Sequence, residues 1–141
     1  MLRTQLTHPG ILGALGSLGH GSLVLIADGN FPFGTHTNPA AARVYLNLRP
    51  GLASVTDVLE PLVSAIPVEA AQVMQPYDGS QPPIWAEFRA LLPGLELQPV
   101  ERFAFYDLAR RSEVGLVIAT GEARVWANLM LTIGVVSSNS R

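Results

Sequence analysis

Apolar residues recur at two spacings along the chain, and the two alternate over most of its length. Within 8–19 (HPGILGALGSLG), Ile11, Leu12, Leu15 and Leu18 form one stripe at the helical period, and Pro9 suits a first helical turn. Glycines in that stretch weaken the helix, each by up to ~1 kcal/mol. Leu23–Ala27 (LVLIA) is wholly apolar and predicts a buried strand that ends at Asp28. Residues 29–42, with their glycines, prolines and asparagines, have the composition of a loop.

Residues 44–48 (VYLNL) read as a second strand. Ser54 followed by Asp57 is a helix-start pattern, for a helix running to about residue 65 with Pro61 bending or shortening it. Residues 69–75 read as a strand. Residues 83–92 predict a helix with Ile84, Phe88 and Leu91 or Leu92 aligned, stopped by Pro93-Gly94. A strand over 95–100 leads to a helix over 103–111, whose terminal Arg110 and Arg111 suit the negative end of its dipole. Buried strands follow at 114–120 and 129–136, and SSNSR (137–141) trails off as a polar tail. The alternation predicts a single α/β domain over 1–136, with a largely buried sheet flanked by helices.

Composition narrows the chemistry. The chain has 141 residues, 14% of them charged, against ~25% in an average soluble domain. All nine cations are arginines, which excludes Schiff-base lysines and a Walker lysine. No cysteine is present, so disulfides and thiol nucleophiles are excluded as well. A net charge of −2 without a basic stripe argues against nucleic acid as a partner. No apolar run reaches the ~18–20 residues that cross a bilayer, and the start lacks a signal-peptide core, which predicts a cytoplasmic protein. With a mean hydropathy of +0.30, apolar surface has to be covered, and burial between subunits of an oligomer is the favoured solution.

His20 lies between Gly19 and Gly21, just ahead of the first strand, and Asp28 closes that strand. A strand of that length spans ~15–20 Å, so the two cannot meet within one extended subunit. Taken alone, His20 is either a helix-end histidine bonded to a carbonyl or an acid/base, and Asp28 either a turn former or a site residue. The glycines of GALGSLGHG precede the strand, whereas a dinucleotide fingerprint follows one. His8, His20 and His36 have no metal-ligand spacing, and Ser22 lies in no nucleophile elbow. Farther on, Arg102 opens RFAFYDLAR, and TGEARVWAN carries Trp126 and Asn128. Trp126 suits either packing or stacking on a sugar face; Asn128 suits either a turn or hydrogen bonding.

These segments in their order (LGHG at 18–21, ADGNFP at 27–32, RFAFYDLAR at 102–110, TGEARVWAN at 120–128) resemble the fucose mutarotase and ribose pyranase family, and RFAFY resembles its fucose branch. The resemblance implies an α/β fold and ring-shaped homo-oligomers, often decamers, with sugar pockets at subunit contacts. By position it implies that His20 is the acid/base and that Asp28, Arg102 and Asn128 bind hydroxyls of a free monosaccharide; the chemistry of its indole lets Trp126 cover an apolar patch of the ring. Opening a hemiacetal takes one proton from the anomeric hydroxyl and delivers one to the ring oxygen, so no metal, redox cofactor or covalent nucleophile is expected. Histidine suits both directions. The family pattern has a tyrosine where this chain has Trp126, and an acidic residue where it has Ser22. A sugar-binding oligomer without catalysis is the alternative expectation.

Overall fold

The computed structural model describes residues 1–139; the last two residues of the expected tail, 140 and 141, lie outside the described residues. Ten elements follow in order: α1 (Pro9–Leu15), β1 (Leu23–Ala27), β2 (Ala42–Tyr45), α2 (Val55–Val63), β3 (Val68–Gln75), α3 (Ile84–Leu91), β4 (Leu97–Glu101), α4 (Arg102–Ala109), β5 (Val114–Ala119) and β6 (Leu129–Ile133). The expected α/β fold with a buried, helix-flanked sheet is observed.

Several boundaries differ from expectation. α1 stops at Leu15 and not residue 19, because the glycines beyond it sustain no further turn; its start is capped by the His8 ring, whose Nδ1 accepts from Gly10 and Ile11 N–H. α4 begins one residue early because Glu101 caps it, accepting from Phe103 and Ala104 N–H. It ends at Ala109, which leaves Arg110 at its cap and Arg111 beyond, paired with Glu113. β6 ends at Ile133 rather than residue 136, since Gly134 turns its N–H to the Pro67 carbonyl and Val135 and Val136 run out exposed. At α2 the Ser54–Asp57 box forms in both directions, and Pro61 is accommodated inside the helix.

The six strands lie in the order β2-β5-β1-β6-β3-β4. β1, β2 and β5 are mutually parallel, β3 is parallel to β4, and β6 runs antiparallel to both β1 and β3. Five strands therefore point one way and only β6 points back. Alternate side chains fill two cores. Val24, Ile26, Leu116, Ile118, Leu129 and Leu131 pack under the helices that carry Leu59, Leu62, Trp85 and Phe88. On the opposite face, Leu25, Ala27, Val117 and Met130 pack under Phe31 of the 28–41 loop and under Phe105 and Leu108 of α4. Burial on both faces is why the strands of β1 and β5 read as unbroken apolar runs.

Candidate functional site

Because five strands share a direction, their carboxyl ends gather at one edge of the sheet, where α/β folds place ligands. The start of antiparallel β6 lies at the same edge. Ile26 near the end of β1 faces Leu129 at the start of β6, so the residues flanking this pair, Asp28 and Asn128, are brought together from 100 positions apart. The Asp28 N–H donates to Asn128 Oδ1 at 2.8 Å, and the Asp28 carboxylate accepts from Asn30 N–H and Ala127 N–H at 3.0 and 3.2 Å. Asn128 Nδ2 rests against the Met74 sulfur. Both Asp28 and Asn128 are buried.

Arg102 reaches the same edge as the first residue of α4, immediately after β4. Its Nε donates to the Tyr106 hydroxyl at 3.1 Å, one helical turn along, and its Nη1 donates to the Tyr77 hydroxyl at 2.6 Å. The guanidinium carbon lies 5.5 Å from the centres of the Phe103 and Tyr106 rings. Trp126, on the loop between β5 and β6, has φ of 59°, a left-handed backbone that costs a non-glycine residue ~1–2 kcal/mol. Its ring meets Tyr77 edge to face at 5.3 Å. Such a conformation persists where surrounding contacts hold it, as here, and it aims the indole at the cavity.

Asp28, Asn30, Arg102, Tyr106, Trp126 and Asn128 surround one open cavity of about 440 Å³, with Phe31, Met74 and Val125 completing the wall. Val125 and Trp126 also line a larger cavity of about 580 Å³ beside it, whose floor is chiefly Pro76, Pro82, Pro83 and Ile84. Tyr77, Asp78, Ser80 and Arg124 line that larger cavity as well; the smaller one is the candidate site because it alone of the two gathers Asp28, Arg102 and Asn128 around Trp126.

Burial pushes the Asp28 carboxyl above the ordinary carboxylate range; N–H bonds from Ala127, Asn30 and Phe31 pull partly back, and the Glu122 charge pushes up further. Burial acts upward on Glu122 too, yet Arg124 outweighs it and holds that carboxyl below its ordinary value. Glu122 accepts from Arg124 Nη2 and Nε at 2.8 and 3.1 Å and from Arg124 N–H at 3.2 Å, while Arg124 Nη1 also pairs with Glu87 on α3. The Glu122 carbonyl accepts Gly29 N–H. This buried acid thus ties the loop carrying Trp126 to the loop that follows Asp28. The phenol oxygens of Tyr77 and then Tyr106 hold the Arg102 guanidinium above its ordinary value, fully cationic.

Four of the five sequence-predicted site residues, Asp28, Arg102, Trp126 and Asn128, thus meet at one cavity. His20 does not join them within the chain. It sits ahead of β1, at the opposite end of a five-residue strand spanning ~16 Å, with its Nε2 against Glu69 at the start of β3. Tyr77, Tyr106, Glu122 and Glu69 escaped the sequence reading. Helical spacing from Arg102 was a signal for Tyr106, and Glu122 lies within TGEARVWAN itself; Tyr77 and Glu69 meet their partners only through the strand order.

Residues 1–136 match the model of the RbsD / FucU transport protein family. The chain is 32% identical over 141 residues to a fucose mutarotase of Danio rerio, covering 91% of this chain and 88% of that protein. It is 35% identical over 126 residues to a D-ribose pyranase of Streptomyces avermitilis, covering 89% and 91%. Its fold superposes on Bacillus subtilis RbsD complexed with D-ribose with a TM-score of 0.83 at 24% identity, covering 97% of this chain and all (100%) of that one.

Proposed function

Because this chain belongs to the RbsD / FucU family, we propose that it is a monosaccharide mutarotase, interconverting the anomers of fucose-like pyranoses and also their pyranose and furanose forms. The observation that carries this reading is the convergence of Asp28, Arg102, Trp126 and Asn128 on one open cavity with room for a monosaccharide. Arg102 retains N–H groups beyond the two given to phenols and offers them to adjacent sugar oxygens. Asp28, with its raised carboxyl, exchanges hydrogen bonds with hydroxyls, and Trp126 lies flat against ring carbons.

The reaction needs a group that takes the anomeric proton and returns one to the ring oxygen. As the C1–O5 bond breaks, its electron pair goes to O5, and the O1–H pair becomes the second bond of the aldehyde. Rotation about C1–C2 and reclosure give the other anomer. His20 is the group we assign to this exchange. Since β1 separates it from its own cavity, a neighbouring copy must bring its His20 against the cavity. That contact joins two different surfaces, and its repetition closes a ring or stacked rings such as a decamer. The exposed Tyr45, Leu48, Val135 and Val136 supply apolar surface for such contacts.

Magnetisation-transfer NMR on fucose, ribose and galactose tests the reading: anomeric exchange is faster with protein than in buffer, and His20→Ala abolishes the gain. A His20→Ala chain as fast as the parent refutes the acid/base assignment. Trp126, which lacks a phenolic proton, favours the second reading of a sugar-binding oligomer; saturable binding without faster exchange would establish it.

A further inference from the structure

The His20 ring faces Glu69 with one nitrogen only. Nε2 lies 2.9 Å from Oε1 and 3.0 Å from Oε2, a single ring N–H shared between both carboxylate oxygens. An ionised carboxylate has acceptors and no donor, so the proton of the neutral ring resides on Nε2 and the lone pair on Nδ1. Among the described residues Nδ1 has no hydrogen-bond partner, and the imidazole is more than half exposed, at 58%. Space beside it is open, since a Cβ at Gly19 or Gly21 would meet no atom within 4 Å. The backbone around the pair is fixed: Gly21 N–H donates to the Ile133 carbonyl, Ile133 N–H to the Ser22 carbonyl, and Gly134 N–H to the Pro67 carbonyl beside Glu69. Arg111 and Glu113, ahead of β5 at the same end of the sheet, pair with each other.

We infer that Glu69 is the positioning residue of the acid/base, fixing the ring so that Nδ1, and not Nε2, is the nitrogen that exchanges protons with the sugar. This rests on the mutarotase reading and adds an atom-level assignment to it. In the forward step the anomeric O–H proton moves to Nδ1, leaving an imidazolium held by the Glu69 carboxylate through Nε2–H. The same Nδ1 proton then passes to O5 as the C1–O5 bond breaks, and the ring returns neutral in its starting tautomer. Glu69 touches no sugar atom; it holds orientation and tautomer, as a carboxylate does for a catalytic imidazole elsewhere.

The test uses the full chain with 15N-labelled histidine, at a pH where the ring is neutral, with the His20 signals identified by their loss in His20→Ala. The parent shows the Nε2–H tautomer. In Glu69→Gln the side-chain amide offers a donor as well as an acceptor, so an Nδ1–H population grows. Fucose exchange by the same variant falls about ten-fold in kcat with KM unchanged, part of the ~10²–10⁴ that a positioned acid/base supplies. A parent ring carrying its proton on Nδ1 overturns the assignment, and so does a Glu69→Gln chain with the altered tautomer and the full parental rate. A parent that accelerates no sugar's exchange overturns the mutarotase reading itself, while the spectrum still decides whether Glu69 sets the tautomer.

Discussion

Replacing Arg124 with Gln removes two charge-assisted donors from a carboxylate that has almost no access to water. Glu122 is 4% exposed and would keep only the Arg124 N–H at 3.2 Å and a long contact from Val55 N–H at 3.4 Å. A hydrogen bond to a charged group is worth ~1.5–3 kcal/mol, and breaking a fully buried pair costs ~3–5 kcal/mol. Arg124 itself is 42% exposed, so water recovers part of the loss, and the expected deficit is about 2–3 kcal/mol at neutral pH. Its pH dependence has a definite sign. The folded Glu122 carboxyl lies below its ordinary value, so the pair stabilises the fold above the unfolded glutamate pKa of ~4.3 and fades as pH falls through the lower folded value. Urea unfolding at fixed protein concentration, at pH 7 and at successively lower pH, should show a large gap between Arg124→Gln and parent that narrows with acid. Glu87→Gln, which removes only the exposed partner, costs under ~1 kcal/mol. A variant as stable as the parent at neutral pH, or one whose deficit persists unchanged in acid, refutes the role given to Arg124.

Two further substitutions probe the edge of the sheet where the cavity lies. Asn128→Ala strands the buried Asp28 N–H and costs ~1–3 kcal/mol by urea unfolding, and it weakens sugar binding in an NMR titration as well. Gly121→Ala drives a Cβ into the Leu52 and Arg49 carbonyl oxygens, backbone atoms that cannot swing aside, and destabilises by about 3 kcal/mol in the same assay.

The parts legible in the sequence were those dictated locally. Leu23–Ala27 and the run from Val114 are apolar on both faces because helices and a loop cover both sides of the sheet, and Ser54 with Asp57 marked a helix start by a bond pattern that spans four residues. Local signals misled where tertiary partners decide. Val135 and Val136 continue an apolar run, but the backbone leaves the sheet at Gly134. At the site, Asp28 was visible as the end of a strand, and that strand's length foretold its separation from His20. Arg102, Trp126 and Asn128 stood out by their side-chain chemistry, but only likeness to a family joined them into one site, since no spacing within the chain does. Tyr77 on Arg102 and Glu69 on His20 bridge 25 and 49 residues, and only the strand order brings them into contact.

The central claim is that one functional site draws its imidazole from one copy of the chain and its sugar-binding groups from another. Co-expressing His20→Ala with Arg102→Ala tests it most directly, because the exposed His20 and the half-buried Arg102 both lie outside the two cores and each variant alone is inactive in fucose exchange. In randomly mixed assemblies one contact in four unites an intact His20 with an intact Arg102, so exchange returns to about a quarter of the parent rate. No recovery in mixed assemblies, or full activity in either variant by itself, contradicts the account.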